Sequence, residues 1–195
     1  MERVTSDVPV PPRWRNAVVA LGNFDGFHRG HQAVVARARE IARAEGRPLI
    51  VATFSPHPSR VFRPDAPFFR LTTLDQRARL FAAAGADAML VFHFNREMAE
   101  VSAADFVTDW LIGRIGAAVI VTGEDFTYGK GRAGSVDLLQ QIGPALGLRA
   151  ESVGPVSDDE GPISSSRIRE ALQNGDCETA TRLLTRPFAI EGEVQ

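Results

Sequence analysis

Cysteine is nearly missing: among 195 residues only Cys177 carries a thiol. That excludes an intramolecular disulfide framework and any zinc site built from cysteines. Lysine and tyrosine are as scarce, with Lys130 the single lysine among 22 basic residues and Tyr128 the single tyrosine. No apolar run approaches the ~20 residues of a membrane span. Net charge is only −2, so no broad basic field is present to gather nucleic acid or a membrane. An anion site must therefore come from a few placed groups. Residues 1–16 hold Val8-Pro9-Val10-Pro11-Pro12 and no apolar core, unlike a secretory signal or a transit peptide. A reducing cytoplasm is the expected compartment, with neither nucleic acid nor membrane as partner.

What remains is an ordinary globular composition, 44% hydrophobic and 24% charged, in a length that suits one domain. Apolar runs and helical periodicities alternate along it. Residues 17–22, 49–54, 87–93, 117–122 and 148–153 read as strands. Helices are expected over about 30–44, from Thr73 or Asp75 to about 84, from a Ser102 cap, around 135–142, and over about 164–173 and 176–184. Asp176 caps the last of these, where Cys177 reads as a small packing residue. Between Phe54 and Leu71 a Pro- and Phe-rich stretch reads as a long loop, the kind that forms lids or ligand walls. The alternation predicts an α/β fold with a doubly wound, mainly parallel sheet. Turns at 22–31, 54–58 and 123–134 then share the C-terminal edge of the sheet, where such folds bind ligands.

The first of those turns is the most informative. Val18–Leu21 is an apolar run that ends in Gly22-Asn23-Phe24-Asp25-Gly26-Phe27-His28-Arg29-Gly30-His31 and opens onto a helical pattern. Free amides and the helix dipole at such a point favour an anion, and glycine lets a ligand approach the backbone. His28 and His31, one helical turn apart, face the same side. Glycines spaced by four exclude the G-x-G-x-x-G fingerprint, and no Gly-Lys-Ser/Thr follows as a P-loop requires. A metal pair stays open as a rival, although the glutamate of H-E-x-x-H is absent. So does a purely structural turn.

Gly22, Phe24, Asp25, His28, Gly30 and His31 spell G-x-F-D-x-x-H-x-G-H, which resembles the first signature of the HxGH nucleotidyltransferases. Three further segments narrow the resemblance to the FMN adenylyltransferase module of bacterial FAD synthetases. Thr53–Pro58 is similar to T-F-x-P-H-P. Gly123–Gly134 is similar to G-x-D-F-x-F-G-K-G-R-x-G, with Tyr128 where Phe is usual. Ile163–Arg169 is similar to I-S-S-T-x-x-R, with Ser166 in place of Thr. On their own residues, 123–134 also reads as a solvated loop, Ser164–Ser166 as a plain helix cap, and His57 as a structural hydrogen-bonder.

The resemblance covers about residues 17–186 and implies a Rossmann-like nucleotidyltransferase fold. It implies adenylyl transfer from ATP to FMN, giving FAD and pyrophosphate, with Mg²⁺ carried mainly on the ATP phosphates. His28, His31 and Arg169 would act on the transferring phosphate, the protonation state of the histidines being left open. Gly22, Asn23, Phe24, Asp25 and Gly30 would hold the nucleotide, as would Ser164, Ser165, Ser166 and Arg167. The flavin side would be made by Phe54, Ser55, His57, Pro58 and Phe62 from one loop. Asp125, Phe126, Tyr128, Lys130 and Arg132 would complete it from the other. Rival functions are an HxGH transferase with another phosphorylated acceptor and a non-catalytic flavin- or nucleotide-binding module. Residues 1–186 are expected to form the transferase domain, and 187–195 to resemble the entry to a riboflavin kinase module. Riboflavin phosphorylation is accordingly not expected of this chain, and a kinase module is its expected partner.

Overall fold

The computed structural model describes residues 1–65 and 67–192; positions 193–195 of the expected 187–195 segment lie outside the described residues. In chain order the strands are β1 (Glu2–Thr5), β2 (Ala17–Leu21), β3 (Leu49–Ser55), β4 (Ala88–His93), β5 (Ala117–Gly123), β6 (Thr127–Tyr128), β7 (Gly134–Ser135), β8 (Arg149–Val153), β9 (Ser157–Asp158) and β10 (Gly161–Pro162). The helices are α1 (Arg29–Glu45), α2 (Pro58–Phe62), α3 (Leu74–Ala83), α4 (Arg96–Ala99), α5 (Ala103–Asp105), α6 (Val136–Ile142), α7 (Ser165–Gln173) and α8 (Cys177–Leu184). A wide π-type helix, Phe106–Ile115, continues α5.

Six strands form one parallel sheet in the order β1-β4-β3-β2-β5-β8. The expected doubly wound α/β architecture is present. β2 is apolar throughout because both its faces are covered. Val18 and Ala20 point to a core shared with Val34, Val35, Ala38 and Phe81 of α1 and α3. Val19 and Leu21 point the other way, to Phe106, Val107, Leu111 and Leu139. Each aliphatic side chain buried this fully contributes about 1.5–3 kcal/mol. A third, smaller cluster joins Leu71 and Ile163 to Ile168, Leu183 and Leu184 of α7 and α8.

Local signals end the helices as expected. Thr73 and Gln76 form a reciprocal capping box on α3, Gly46 closes α1 in a left-handed conformation, and Ser102 and Asp176 cap α5 and α8. Some features differ from expectation. β1 adds an edge strand beside β4, the 55–71 loop contains the short α2, and Cys177 is exposed rather than packed. As the first residue of α8, Cys177 lies on the turn that Asp176 caps, outside the face that buries Ala180, Leu183 and Leu184.

Starting from β2 the chain winds outward to β3 and β4, then crosses back to β5 and β8 on the other side. The order reverses between β2 and β5. Their C-terminal ends therefore open a crevice at the switch point, where open α/β sheets place ligands.

Candidate active site

The turn from β2 into α1 is tightly wound. Phe24, Gly26 and Phe27 all have positive φ, at 49°, 84° and 47°. A left-handed conformation costs a residue other than glycine roughly 1–2 kcal/mol, which burial of both phenylalanines offsets. The Phe24 ring lies edge-on to Phe81 at 5.8 Å and to His31 at 5.3 Å. It forms the floor under the second histidine. A Cβ at Gly22 would sit 3.2 Å from that ring, so the glycine leaves room for it.

His28 caps α1, its Nδ1 accepting the His31 N–H at 3.4 Å, and the two imidazoles stack 3.6 Å apart at 22°. A Cβ at Gly30 would meet His28 Cε1 and Nδ1 at 3.1 and 3.2 Å. This contact explains the glycine of H-x-G-H: the first ring folds back over the helix start only where no side chain stands. Burial lowers the His28 pKa to about 4, Asp25 only partly offsetting it. Burial, then His28 and Arg77, hold His31 well below its ordinary value. Both rings are neutral at pH 7. With Nδ1 accepting, neutral His28 carries its proton on Nε2 as a donor.

Beneath the turn is a charge cluster. The buried Asp25 carboxylate accepts the N–H groups of Leu71 and Thr72 and the Thr72 hydroxyl, all at 3.1 Å. It pairs with Arg77 at 3.3 Å and with Arg169. Arg77, only 2% exposed, also donates to Asn23 O, Thr53 Oγ1 and Thr72 Oγ1. The Ser165 hydroxyl donates to Asp25 O at 2.8 Å. Two guanidiniums against one carboxylate leave a positive excess under the helix start. One cluster thus joins the β2 turn, the start of α3 and the start of α7.

Several of the expected site residues have partners within the protein. The Phe24 ring packs against Phe81, and the Asp25 carboxylate accepts the Thr72 N–H. Arg169 is bound to Asp25 and to Phe69 O at 2.9 Å and stacks over Phe68 at 4.4 Å. It braces the 68–72 segment. Arg167 donates to Asp158, Glu160 and the carbonyls of Gly161 and Pro162, so it holds the β9–β10 hairpin. Phe54 is buried against Phe92 at 5.0 Å, a core side chain. Tyr128 is buried beside Phe106 at 5.3 Å, and burial pushes its hydroxyl up to about 12.

Other positions remain at the sheet edge. Ser164 caps α7 by accepting the Arg167 N–H at 3.3 Å, and Ser166 is exposed on its first turn. His57 caps α2 through Ser59 N–H, lies 4.7 Å from Phe68, and is lowered to about 4 by burial. Half-buried Ser55 and Pro58 flank it. Phe62 is 65% exposed and meets Phe94 at 5.7 Å on the rim. Across the crevice, Asp125 is exposed and Phe126 half-buried, while Lys130 pairs with Glu100 at the surface and Arg132 donates to Thr127 Oγ1. Asn23 Oδ1, His31 Nδ1 and Thr122 Oγ1 are buried without a protein partner. All three sit at the ends of β2 and β5 or the start of α1. A buried polar atom left unpaired costs about 1–3 kcal/mol, so these three, with Tyr128 Oη as a fourth elsewhere, are groups that a polar ligand could satisfy. Among the described residues no three His, Cys, Asp or Glu side chains converge as a metal cage.

The model of the FAD synthetase family matches residues 10–167. The chain belongs to that family. A bifunctional riboflavin kinase/FMN adenylyltransferase from Pseudomonas fluorescens is 40% identical over 183 residues, 94% of this chain and 58% of that protein. Proteins of the same description from Escherichia coli K12 and Bacillus subtilis are 36% and 39% identical, over 91% of this chain and 56% of each relative. The chain thus spans less than three fifths of the length of these curated relatives. Among solved structures, one described as a macrolide-efflux protein from Streptococcus pneumoniae superposes with a TM-score of 0.86 at 29% identity, covering 96% of this chain and 61% of that one. Pantothenate synthetase from Thermus thermophilus shares the fold, with a TM-score of 0.54 at 18% identity over 95% of this chain and 81% of its own. No helix among the described residues is long and apolar enough to cross a membrane.

Proposed function

We propose that this chain transfers the adenylyl group of ATP to FMN, producing FAD and pyrophosphate. The observation that carries the reading is the neutral, stacked His28–His31 pair at the switch-point crevice above a positively charged cluster. Family membership and the names of the relatives support the same reaction. An oxygen of the FMN phosphate forms a bond to the α-phosphorus while the bond to the α,β-bridging oxygen breaks, and the electron pair leaves with pyrophosphate. No protein nucleophile is needed, so the protein positions reactants and stabilises charge. His28 donates from Nε2 to a phosphate oxygen, and His31 stands stacked against it. The N-terminus of α7, with Ser164–Ser166, offers amides and a hydroxyl to the triphosphate. Magnesium would be carried on the ATP oxygens, where it would neutralise charge.

The flavin is assigned to the side made by Ser55, His57, Pro58 and Phe62 and, opposite, by Asp125, Phe126, Lys130 and Arg132. Residues 1–186 are assigned to the transferase unit and 187–195 to the start of a kinase-linked segment. Riboflavin phosphorylation is not assigned to these residues, and the cytoplasm is the proposed location. Incubation with ATP, Mg²⁺ and either FMN or riboflavin, with products separated by chromatography, tests the reading. FAD and pyrophosphate from FMN, without FMN from riboflavin, are expected. Tight flavin or nucleotide binding without turnover would replace the enzyme with a binding module, and absence of both would point to another acceptor.

A further inference from the structure

The matched family region ends at residue 167, yet the histidine-bearing turn is also held from the far end of the chain. Arg186, just past α8, donates through its guanidinium to Gly26 O at 2.6 Å and to Phe27 O at 3.4 Å, with a third bond to Leu184 O at 3.1 Å. Gln32 on α1 donates to Phe27 O at 2.9 Å and reaches Leu184 O and Thr185 Oγ1 at 3.3 and 3.0 Å. Gly26 and Phe27, whose main-chain carbonyls are held in this way, both have left-handed φ and immediately precede His28. A half-buried arginine that ties two carbonyls of one strained turn to the end of α8 acts as a clamp. Further along, the 187–192 strap runs over α3, where Gln76 donates to Ala189 O and Arg79 pairs with Glu191.

We propose that Arg186 is a positioning residue for the paired histidines, fixing the Gly26–Phe27 carbonyls so that His28 and His31 meet the reacting phosphates in register. The inference rests on the adenylyl-transfer reading, and the test separates the two. The parent chain, Arg186→Ala, Arg186→Lys, Gln32→Ala, the Gln32→Ala/Arg186→Ala double variant and Arg79→Ala are assayed for FAD formation well below each unfolding midpoint. Misplacement of catalytic groups by about 1 Å costs on the order of 100-fold in rate. On that scale Arg186→Ala is expected to lower kcat by roughly 10- to 100-fold, with KM for ATP and FMN nearly unchanged. Arg186→Lys recovers part of the loss, since an ammonium still reaches one carbonyl. Gln32→Ala lowers kcat less and is non-additive with Arg186→Ala, because both side chains hold Phe27 O. Arg79→Ala loosens only the strap and stays at the parental rate.

An inactive parent sinks the adenylyl-transfer reading and this inference with it. An active parent with parental kcat in Arg186→Ala overturns the inference alone. So does a loss that follows the folded fraction and is not recovered by lysine. If Arg186→Ala does not fold, parental kcat in both Arg186→Lys and Gln32→Ala overturns it equally.

Discussion

Two glycine-rich loops face each other across the crevice, and they are held in opposite ways. The 22–31 turn is braced from distant parts of the chain: Thr72, Arg77, Ser165, Arg169 and Arg186 all bond to it. The 123–134 loop is held by one buried ring and by a few main-chain bonds to the segments beside it. Tyr128 anchors it in the core, the Lys130 N–H donates to Val101 O, and its charged side chains lie at the surface. The difference fits a division of labour under the proposed reaction. Groups that would meet the reacting phosphate are tied from many parts of the chain, whereas a wall that would meet the acceptor needs fewer ties. Preorganisation is concentrated on the side that carries the histidines.

The comparison breaks most sharply at Asp25. Asp25→Ala leaves Arg77 buried without its carboxylate, and removal of one member of a buried pair costs about 3–5 kcal/mol. Chemical denaturation is expected to show that loss. A change below about 1 kcal/mol, as for an exposed pair, would mean that the turn is not braced as described. On the opposite loop the largest effects are steric. A Cβ at Gly134 would lie 2.4 Å from the Tyr128 ring, and at Gly129, where φ is +72°, 2.7 Å from Ala103 backbone. Alanine at either position should cost about 1–3 kcal/mol, while Gly131→Ala, with open space around it, should cost only the left-handed conformation, about 1–2 kcal/mol or less. Equal losses at Gly129 and Gly131 would contradict the close contact with Ala103.

Acid sharpens the comparison further. His28 and His57 are each lowered to about 4 and His31 is lowered as well, burial being the first cause for all three. Between about pH 6.5, where free histidine titrates, and about pH 4 the unfolded chain binds more protons than the folded one. Stability therefore rises with pH through that window, and it is lost as pH falls from about 6.5 toward 4. Thermal midpoints recorded across the window check the sign, and a flat profile would contradict neutral buried rings. The smallest effect is expected at exposed Asp125. Asp125→Ala should leave stability within about 0.5 kcal/mol while raising KM for FMN, and an unchanged KM would remove it from the flavin side.

How much of this was legible in the sequence depends on the range of the interactions. β2 and β3 announce themselves because strands buried on both faces are apolar throughout. Thr73, Ser102, Asp176 and Gly46 announce helix ends because caps act within one turn. The H-x-G-H spacing was visible, although its reason, His28 folded over Gly30, needed coordinates. β1 escaped because four residues at an edge carry no pattern of their own, only a pairing with β4 far along the chain. Arg77 and Arg186 escaped for the same cause: their partners lie 52 and 160 residues away. The motif marks Phe24 and Asp25 as residues that matter, but their partners Phe81 and Arg77, more than 50 residues on, are visible only in the fold.

The most direct test of the central claim compares turnover and unfolding in His28→Ala and His31→Ala against the parent chain. Loss of a preorganised donor to the transition state costs about 10²–10³ in kcat, whereas loss of the His28 cap costs about 0.5–2 kcal/mol of stability. The account predicts FAD formation reduced by about 100-fold or more, on that scale, in chains that remain folded at the assay temperature. Activity that declines only in step with the folded fraction would make the histidine pair structural and contradict it.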